Sequence, residues 1–300
     1  MSPRREVERL DVCLVRLGLA SSRRAARDLI SGGRVRVNGR PLRKGGDVAA
    51  GDKVELTDPP ALSEITPNPA LEIPVLFVDD AVIVVNKPGL IPCHPLRATD
   101  RETVLNAIAA KYPETAIDRD KQFEGGLVHR LDNGTSGALI IARTAEAFAQ
   151  LRKAIRGGAV AREYRALVAG KLDAAQEIAT PIAHHQKNAR KMVTGIESRA
   201  RSHPRPAFTQ VQPMGYHGGF TLLKVLPRTG SRHQIRIHLA SIGHAIAGDR
   251  LYGGPTIAGL VPDRFWLHLA RLDLVSPASG RNQIEAPITA DLAAALAELR

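Results

Sequence analysis

Apolar positions along the chain recur at two periods, and the period changes mark the elements. Residues 7–18 (VERLDVCLVRLG) carry apolar residues at helical spacing, with Gly18 as a stop. A second helix is predicted over SSRRAARDLISGG, capped by Ser21 or Ser22 and closed by Gly32 and Gly33. In RVRVNGRPL the period drops to two, and Asn38-Gly39 predicts a hairpin turn, with GDKVEL as a returning strand. From Val75 onward β-type runs dominate: VLFVDD, AVIVVNKP, AVAREYRALVAG, PAFTQVQP, GFTLLKVL, SRHQIRIHLA and FWLHLARLDLV. Helical spacing returns in ETVLNAIAAKY, in TAEAFAQLRKAIRGG with Thr144 as cap and Gly157 as stop, and in ADLAAALAELR.

Strands outnumber helices and do not alternate with them regularly. The expected class is therefore α+β, with a large mixed or mainly antiparallel sheet and a small N-terminal α/β unit. The expected organisation is an N-terminal unit over 1–57, a linker over 58–74 that holds five prolines, and a main domain over 75–300. The N-terminal pattern, two short helices presenting arginines beside a basic hairpin, resembles the S4-like RNA-binding module over about residues 7–56. Arg23, Arg24, Arg27, Arg34 and Arg36 are the candidate phosphate contacts, because guanidinium forks suit phosphate oxygens. A solvated helical cap is the plainer reading.

Composition narrows the partner. The formal charge is +12 and the pI about 10.2, which favours a polyanion such as nucleic acid. Aromatic residues make up only 4%, which argues against a broad stacking platform for single strands. No apolar run approaches a membrane span, and MSPRREVERLD lacks the apolar core of a signal peptide, so the expected location is cytoplasmic. Cys13 and Cys93 lie far apart and the histidines have no ligand spacing, so neither a disulfide nor a metal site is expected. No Walker A run and no GxGxxG after a strand occur, and no nucleotide cofactor is expected. A monomer is the default.

The chemistry candidates sit in two segments. In GLVHRLDNGTSGALIIA, Asp132 is expected after a strand and before a tight small-residue turn, from which a carboxylate can reach into a cleft. Its alternatives are an Asx turn or an ion pair with Arg130. In SRHQIRIHL, read as a strand, Arg232, Gln234, Arg236 and His238 share one side and His233, Ile235, Ile237 and Leu239 the other. An arginine of that row could pair with Asp132 across the sheet, or the row could simply face solvent. Tyr164 shares a face of its strand with Arg162 and Ala166, and is either a core aromatic or a flat surface for a base.

HRLDNGTSGALIIA resembles the HRLDxxTSG signature of the RluA-type pseudouridine synthases. NKPGLIPCHP, VAREYRALVAG, ARKM followed by RPAFT, TGSRHQIRIHL with GHAIAGDRLYG, and LHLARLDLVSP resemble other landmarks of that family, in the same order, over about residues 75–295. The resemblance implies isomerisation of uridine to pseudouridine in RNA without metal or cofactor. It implies Asp132 as the catalytic carboxylate, Arg236 as its partner, Tyr164 against the target uracil, and Arg130 as the probe that fills the space of the flipped base. Arg232 and His233 are further RNA-contact candidates. Ser231-Arg232 departs from the usual Arg-Thr, and the basic stretch TGIESRARSHPRP looks like an insertion. Large-subunit ribosomal RNA is the expected substrate, with transfer RNA as the alternative. An idle RNA-binding factor of the same fold and a metal-dependent RNA hydrolase are the competing classes, the latter lacking ligand spacing.

Overall fold

The computed structural model describes residues 7–20, 23–42, 46–57, 65–118, 123–195 and 203–299. The N-terminal unit runs β1 (Val7–Arg9), α1 (Leu10–Arg16), α2 (Arg23–Ser31), β2 (Val35–Val37), β3 (Arg40–Leu42), β4 (Asp47–Ala49) and β5 (Val54–Leu56). The chain over 7–18 is therefore a short strand and then a helix. Val7 to Arg9 pair with β4, and the helix starts only at Leu10. The proposed caps Ser21 and Ser22 lie outside the described residues. β2 and β3 meet at Asn38-Gly39, where φ is 51° and 78°, the double positive φ of a tight hairpin. β5 returns beside β2, as its alternating pattern predicts. Leu10, Leu14, Ala26, Ile30 and Val35 form a core of their own.

The arginines of this unit are not all turned outward. Asp11 is buried, and three guanidinium groups converge on it: Arg9 (Nε–Oδ1, 3.0 Å), Arg23 (Nε and Nη2 to Oδ2, both 3.1 Å) and Arg27 (Nε–Oδ2, 3.3 Å). The hydrogen bond from Arg9, helped by Arg23 and Arg27, outweighs burial and lowers the Asp11 pKa from 3.8 to about 2. A depressed carboxylate pKa contributes stability above the unfolded value, and that contribution is lost as pH falls through the folded value. Acidification from pH 4 to pH 2 is therefore expected to lower the melting temperature. Asp11→Asn should flatten that dependence in a thermal-unfolding series, and an equally steep series in the variant would show that Asp11 is not its source.

The main domain continues with β6 (Val75–Val78), β7 (Val82–Lys87), α3 (Val104–Lys111), β8 (Ser136–Ala142), α4 (Ala145–Arg156), β9 (Ala161–Ala169), β10 (Gln176–Ile178), β11 (Ile182–His184) and β12 (Met192–Thr194). It closes with β13 (Thr209–His217), β14 (Phe220–Pro227), α5 (Gln234–Ser241), β15 (Leu267–Ser276), β16 (Gly280–Glu285) and α6 (Ala290–Ala297). Among the described residues the large sheet has nine strands, in the order β10-β13-β14-β9-β15-β8-β7-β6, with β16 alongside β15. All pairings are antiparallel except β15 with β8, so the sheet is mixed, as expected. β8 is buried at every position, which fits a central strand with a continuous apolar run. Thr144 caps α4 by accepting from Ala147 N–H, and Phe148 and Leu151 face the core.

Three expectations need correction. SRHQIRIHL is not a strand: Gln234–Ser241 is a helix, so the two-sided arrangement of its arginines and histidines does not exist. The segment before Asp132 is loop with a single bridge, Leu127 to Ile141, and only the segment after it is a strand. The latter part of the expected linker packs instead of spacing: Ile65 and Ile73 are buried in the main core, and Asn106 Nδ2 donates to Thr66 O at 2.7 Å. Much of the basic insertion, 196–202, falls outside the described residues.

Candidate active site

Asp132 stands on the loop that enters β8, and that loop is held from behind by two buried cations. Lys87, fully buried, donates from Nζ to Pro88 O (2.8 Å), Asn133 O (3.1 Å) and Thr135 O (2.7 Å). Burial lowers its pKa to about 8. Arg264 donates from Nη1 to Gly134 O and from Nη2 to Ser136 Oγ, and its Nε meets Asp291. Three successive carbonyls, those of Asn133, Gly134 and Thr135, are thus held by these two side chains. Leu90 N–H also donates to Asn133 O, at 2.7 Å. The small residues of the turn make room for the protein's own chain. A Cβ on Gly134 would strike Asp263 and Phe265, and one on Gly137 the Leu269 backbone. His129 belongs to the same scaffold: its Nε2 accepts from Ile140 N–H at 3.1 Å, and burial lowers its pKa to about 3.

Arg236 reaches Asp132 from the first turn of α5. Its Nη1 donates to Asp132 Oδ2 at 2.9 Å. Its Nε and Nη2 form a fork with Asp249, at 2.6 and 2.8 Å. The guanidinium carbon lies 4.3 Å from the Phe265 ring centroid and 5.1 Å from that of Tyr252. Burial opposes the charge of Arg236, but the bonds to Asp249 and the charges of Asp132 and Asp249 outweigh it, and its pKa is raised. Asp132 therefore faces a permanent cation through one oxygen, and its other oxygen, Oδ1, lies 3.8 Å from His233 Nε2.

Tyr164 projects from β9, between β14 and β15, and walls a recess of about 90 Å³ with Asp132, Ile235, Arg236 and Leu267. Burial raises its pKa, so the phenol stays protonated at neutral pH. The recess adjoins a cleft of about 940 Å³ that Asp132, Arg130, Arg162, Arg190, Arg232 and Arg250 help to line. Arg130 is largely exposed and does not pair with Asp132. Its Nη1 lies 3.3 Å from His94 Nε2 and 3.5 Å from Glu124 Oε1. Arg232 is exposed and donates to Ala189 O at 3.1 Å, while His233 lines both recess and cleft. Arg23, Arg27, Arg34 and Arg36 all belong to the N-terminal unit, where Arg36 is exposed on β2 and Arg34 is half-buried. The side chain of Arg24 lies outside the described residues. Among the described residues no cluster of three or more histidine, cysteine, aspartate or glutamate side chains could hold a metal ion, and no helix is long and apolar enough to cross a membrane.

Asp249, Tyr252 and Phe265 complete the surroundings of Arg236, and Lys87 and Arg264 complete those of the turn. Nothing in composition or periodicity marks them. The signals lie in two family-like runs, NKPGLIPCHP, which holds Lys87, and GHAIAGDRLYG, which holds Asp249 and Tyr252.

Comparison with known proteins bears on this arrangement. Residues 81–241 match the RNA pseudouridylate synthase family, and residues 8–54 match the S4 domain. The chain is 35% identical to an uncharacterized RNA pseudouridine synthase of Chloroflexus aurantiacus, covering 99% of this chain and 92% of that one. It is 31% identical to ribosomal large subunit pseudouridine synthase D of Vibrio parahaemolyticus, covering 98% and 91%. The solved structure of human RNA pseudouridylate synthase domain containing 1 overlays with a TM-score of 0.59 at 23% identity, over 76% of this chain and 89% of that one, a likeness of fold. With its S4 domain on the N-terminal side of the catalytic fold, the chain belongs to the RNA pseudouridine synthase family.

Proposed function

We propose that this protein isomerises uridine to pseudouridine in large-subunit ribosomal RNA, with Asp132 as the catalytic carboxylate. The observation that carries the reading is the 2.9 Å contact between Arg236 Nη1 and Asp132 Oδ2 beside a recess walled by Tyr164. The reaction breaks the bond from N1 to C1′, turns the uracil, and joins C5 to C1′. The proton lost from C5 is balanced by one gained at N1. A carboxylate paired with a fixed cation suits addition to the base, attack on the sugar or removal of a sugar proton alike.

The recess takes the uracil, with the Tyr164 ring against it. The target must leave its stack to enter, at a cost of roughly a few kcal/mol. In this reading Arg130, exposed at the rim, fills the gap it leaves. Arginines along the cleft and on the S4 domain meet phosphates, which contributes affinity without sequence. The names of relatives such as the Vibrio parahaemolyticus protein support the large ribosomal RNA as the substrate.

Mapping pseudouridine across total RNA, with and without the gene, is expected to show sites lost from large-subunit ribosomal RNA. Loss confined to transfer RNA would overturn the substrate, and loss nowhere would overturn the activity. On the S4 domain, Arg36→Ala is expected to weaken RNA binding equally across sequences and to reduce the slope of log affinity against log salt by about one. An unchanged slope in a salt titration would remove Arg36 from the interface.

A further inference from the structure

His233 stands beside the acid in a backbone conformation that non-glycine residues seldom adopt, with φ 54° and ψ 20°. It is held there by Gln234 N–H on Ser231 O (3.1 Å) and by Ile237 N–H on His233 O (3.0 Å). Its ring meets Tyr252 edge to face, with centroids 5.8 Å apart. The contacts of that tyrosine favour one tautomer of the imidazole. Met192 N–H donates to Tyr252 Oη at 2.9 Å, so the hydroxyl already accepts. Its own hydrogen is free to go to its other partner, His233 Nδ1, at 3.0 Å, which satisfies both groups. Burial holds the phenol pKa up at about 12 and the imidazole pKa down at about 4, against the pull of Asp132, so both are neutral near pH 7. A neutral imidazole that accepts at Nδ1 carries its hydrogen on Nε2.

That Nε2 lies 3.8 Å from Asp132 Oδ1, the oxygen that Arg236 does not hold. The gap is too long for a direct hydrogen bond, but a group about 2.8 Å from each atom spans it. Such a group must accept from the imidazole and donate to the carboxylate. Uracil carbonyls and phosphate oxygens only accept. Within an RNA chain the 3′ and 5′ oxygens are esterified, so the free O–H of a nucleotide is its 2′-hydroxyl. This hydroxyl sits on the carbon next to C1′, the sugar carbon of the reacting bond.

We infer that His233 and Asp132 Oδ1 together grip the 2′-hydroxyl of the target nucleotide, and that His233 is the residue that selects ribose over deoxyribose. The inference rests on the proposed uridine isomerisation at Asp132. Tyr252 acts through His233, as a positioning residue that fixes its tautomer.

The test uses two synthetic RNA stem-loops around a uridine found by the mapping above. One is all ribose, and the other has 2′-deoxyuridine at the target alone. Single-turnover rates on both are compared for wild type, His233→Asn and Tyr252→Phe. Asparagine tolerates a positive φ, so the backbone is kept, and thermal unfolding verifies the fold. The intrinsic reactivity of the deoxy target cancels when the ribose-to-deoxyribose ratio is compared between proteins. His233→Asn is expected to lower that ratio about tenfold, through the ribose substrate, the size of one lost hydrogen bond. Tyr252→Phe is expected to lower it by a smaller factor. If His233→Asn slows both substrates equally, His233 is structural and the inference is overturned. The same holds if wild type shows no preference for ribose. If wild type converts neither stem-loop, the isomerisation reading has failed and the inference falls with it.

Discussion

Asp132→Asn is expected to lower pseudouridine formation by about 10²–10⁴-fold or more, while the protein stays folded. The asparagine carbonyl can still accept from Arg236, and Arg236 keeps both bonds to Asp249. The chemistry is lost because an amide cannot take a proton or attack carbon as a carboxylate does. Single-turnover release of tritium from uridine labelled at C5 reads the reaction, and thermal unfolding reads the fold. Normal turnover by a folded Asp132→Asn protein would remove Asp132 from the mechanism and leave the family's reaction to another group.

Asp249→Ala is expected to destabilise the catalytic domain by about 3–5 kcal/mol and to lower activity with it. Arg236 is only 8% exposed, and it lies between Asp249, itself 1% exposed, and the partly exposed Asp132. Removing Asp249 leaves a buried cation with one carboxylate at the edge of the cleft. It also removes the fork that aims Nη1 at Asp132, so the surviving pair loses its direction. Asp249→Asn keeps the shape without the charge and should fall between wild type and alanine. Urea denaturation of the three proteins measures the order, and equal midpoints would show that Asp249 does not hold Arg236 in place.

Much of the sheet was legible because its strands follow one pattern: β7, β8, β9, β14 and β15 are runs rich in β-branched and apolar residues, bounded by turn residues. The segment QIRIHLAS obeys the same pattern and is nevertheless a helix. Its residues from Gln234 to Leu239 are all buried, so no polar face reveals a helical period. The polar members are satisfied by partners distant in sequence: Gln234 by Phe208 O and Thr209, and His238 by Thr209 and Thr180 O. Tertiary contacts of this kind override the local preference for strand. The short strands β10, β11 and β12 escaped notice because none adjoins a hairpin turn like the Asn38-Gly39 that marks β2 and β3.

The site divides along the same line. Asp132, Tyr164 and Arg236 stand in segments that resemble the family's signatures, and the fold brings these three to one recess. Asp249 is separated from Arg236 by a helix end and a loop, and its role appears only when the guanidinium is seen to need a second acid. The turn glycines could be read as small from sequence, but not the reason for it. Clearance for RNA and clearance for the protein's own backbone have the same signature in one dimension.

The contact between Asp132 and Arg236 joins positions 104 residues apart in the chain, and the strand beside the acid pairs in parallel with one formed later still. Long loops must close before either contact repays them, which makes this pairing costly to form early. A ribosome-bound nascent chain that has exposed the acid but not yet the helix bearing its counter-ion has no assembled centre. On the proposed reading of Asp132, reactivity toward RNA would begin only with the completed domain.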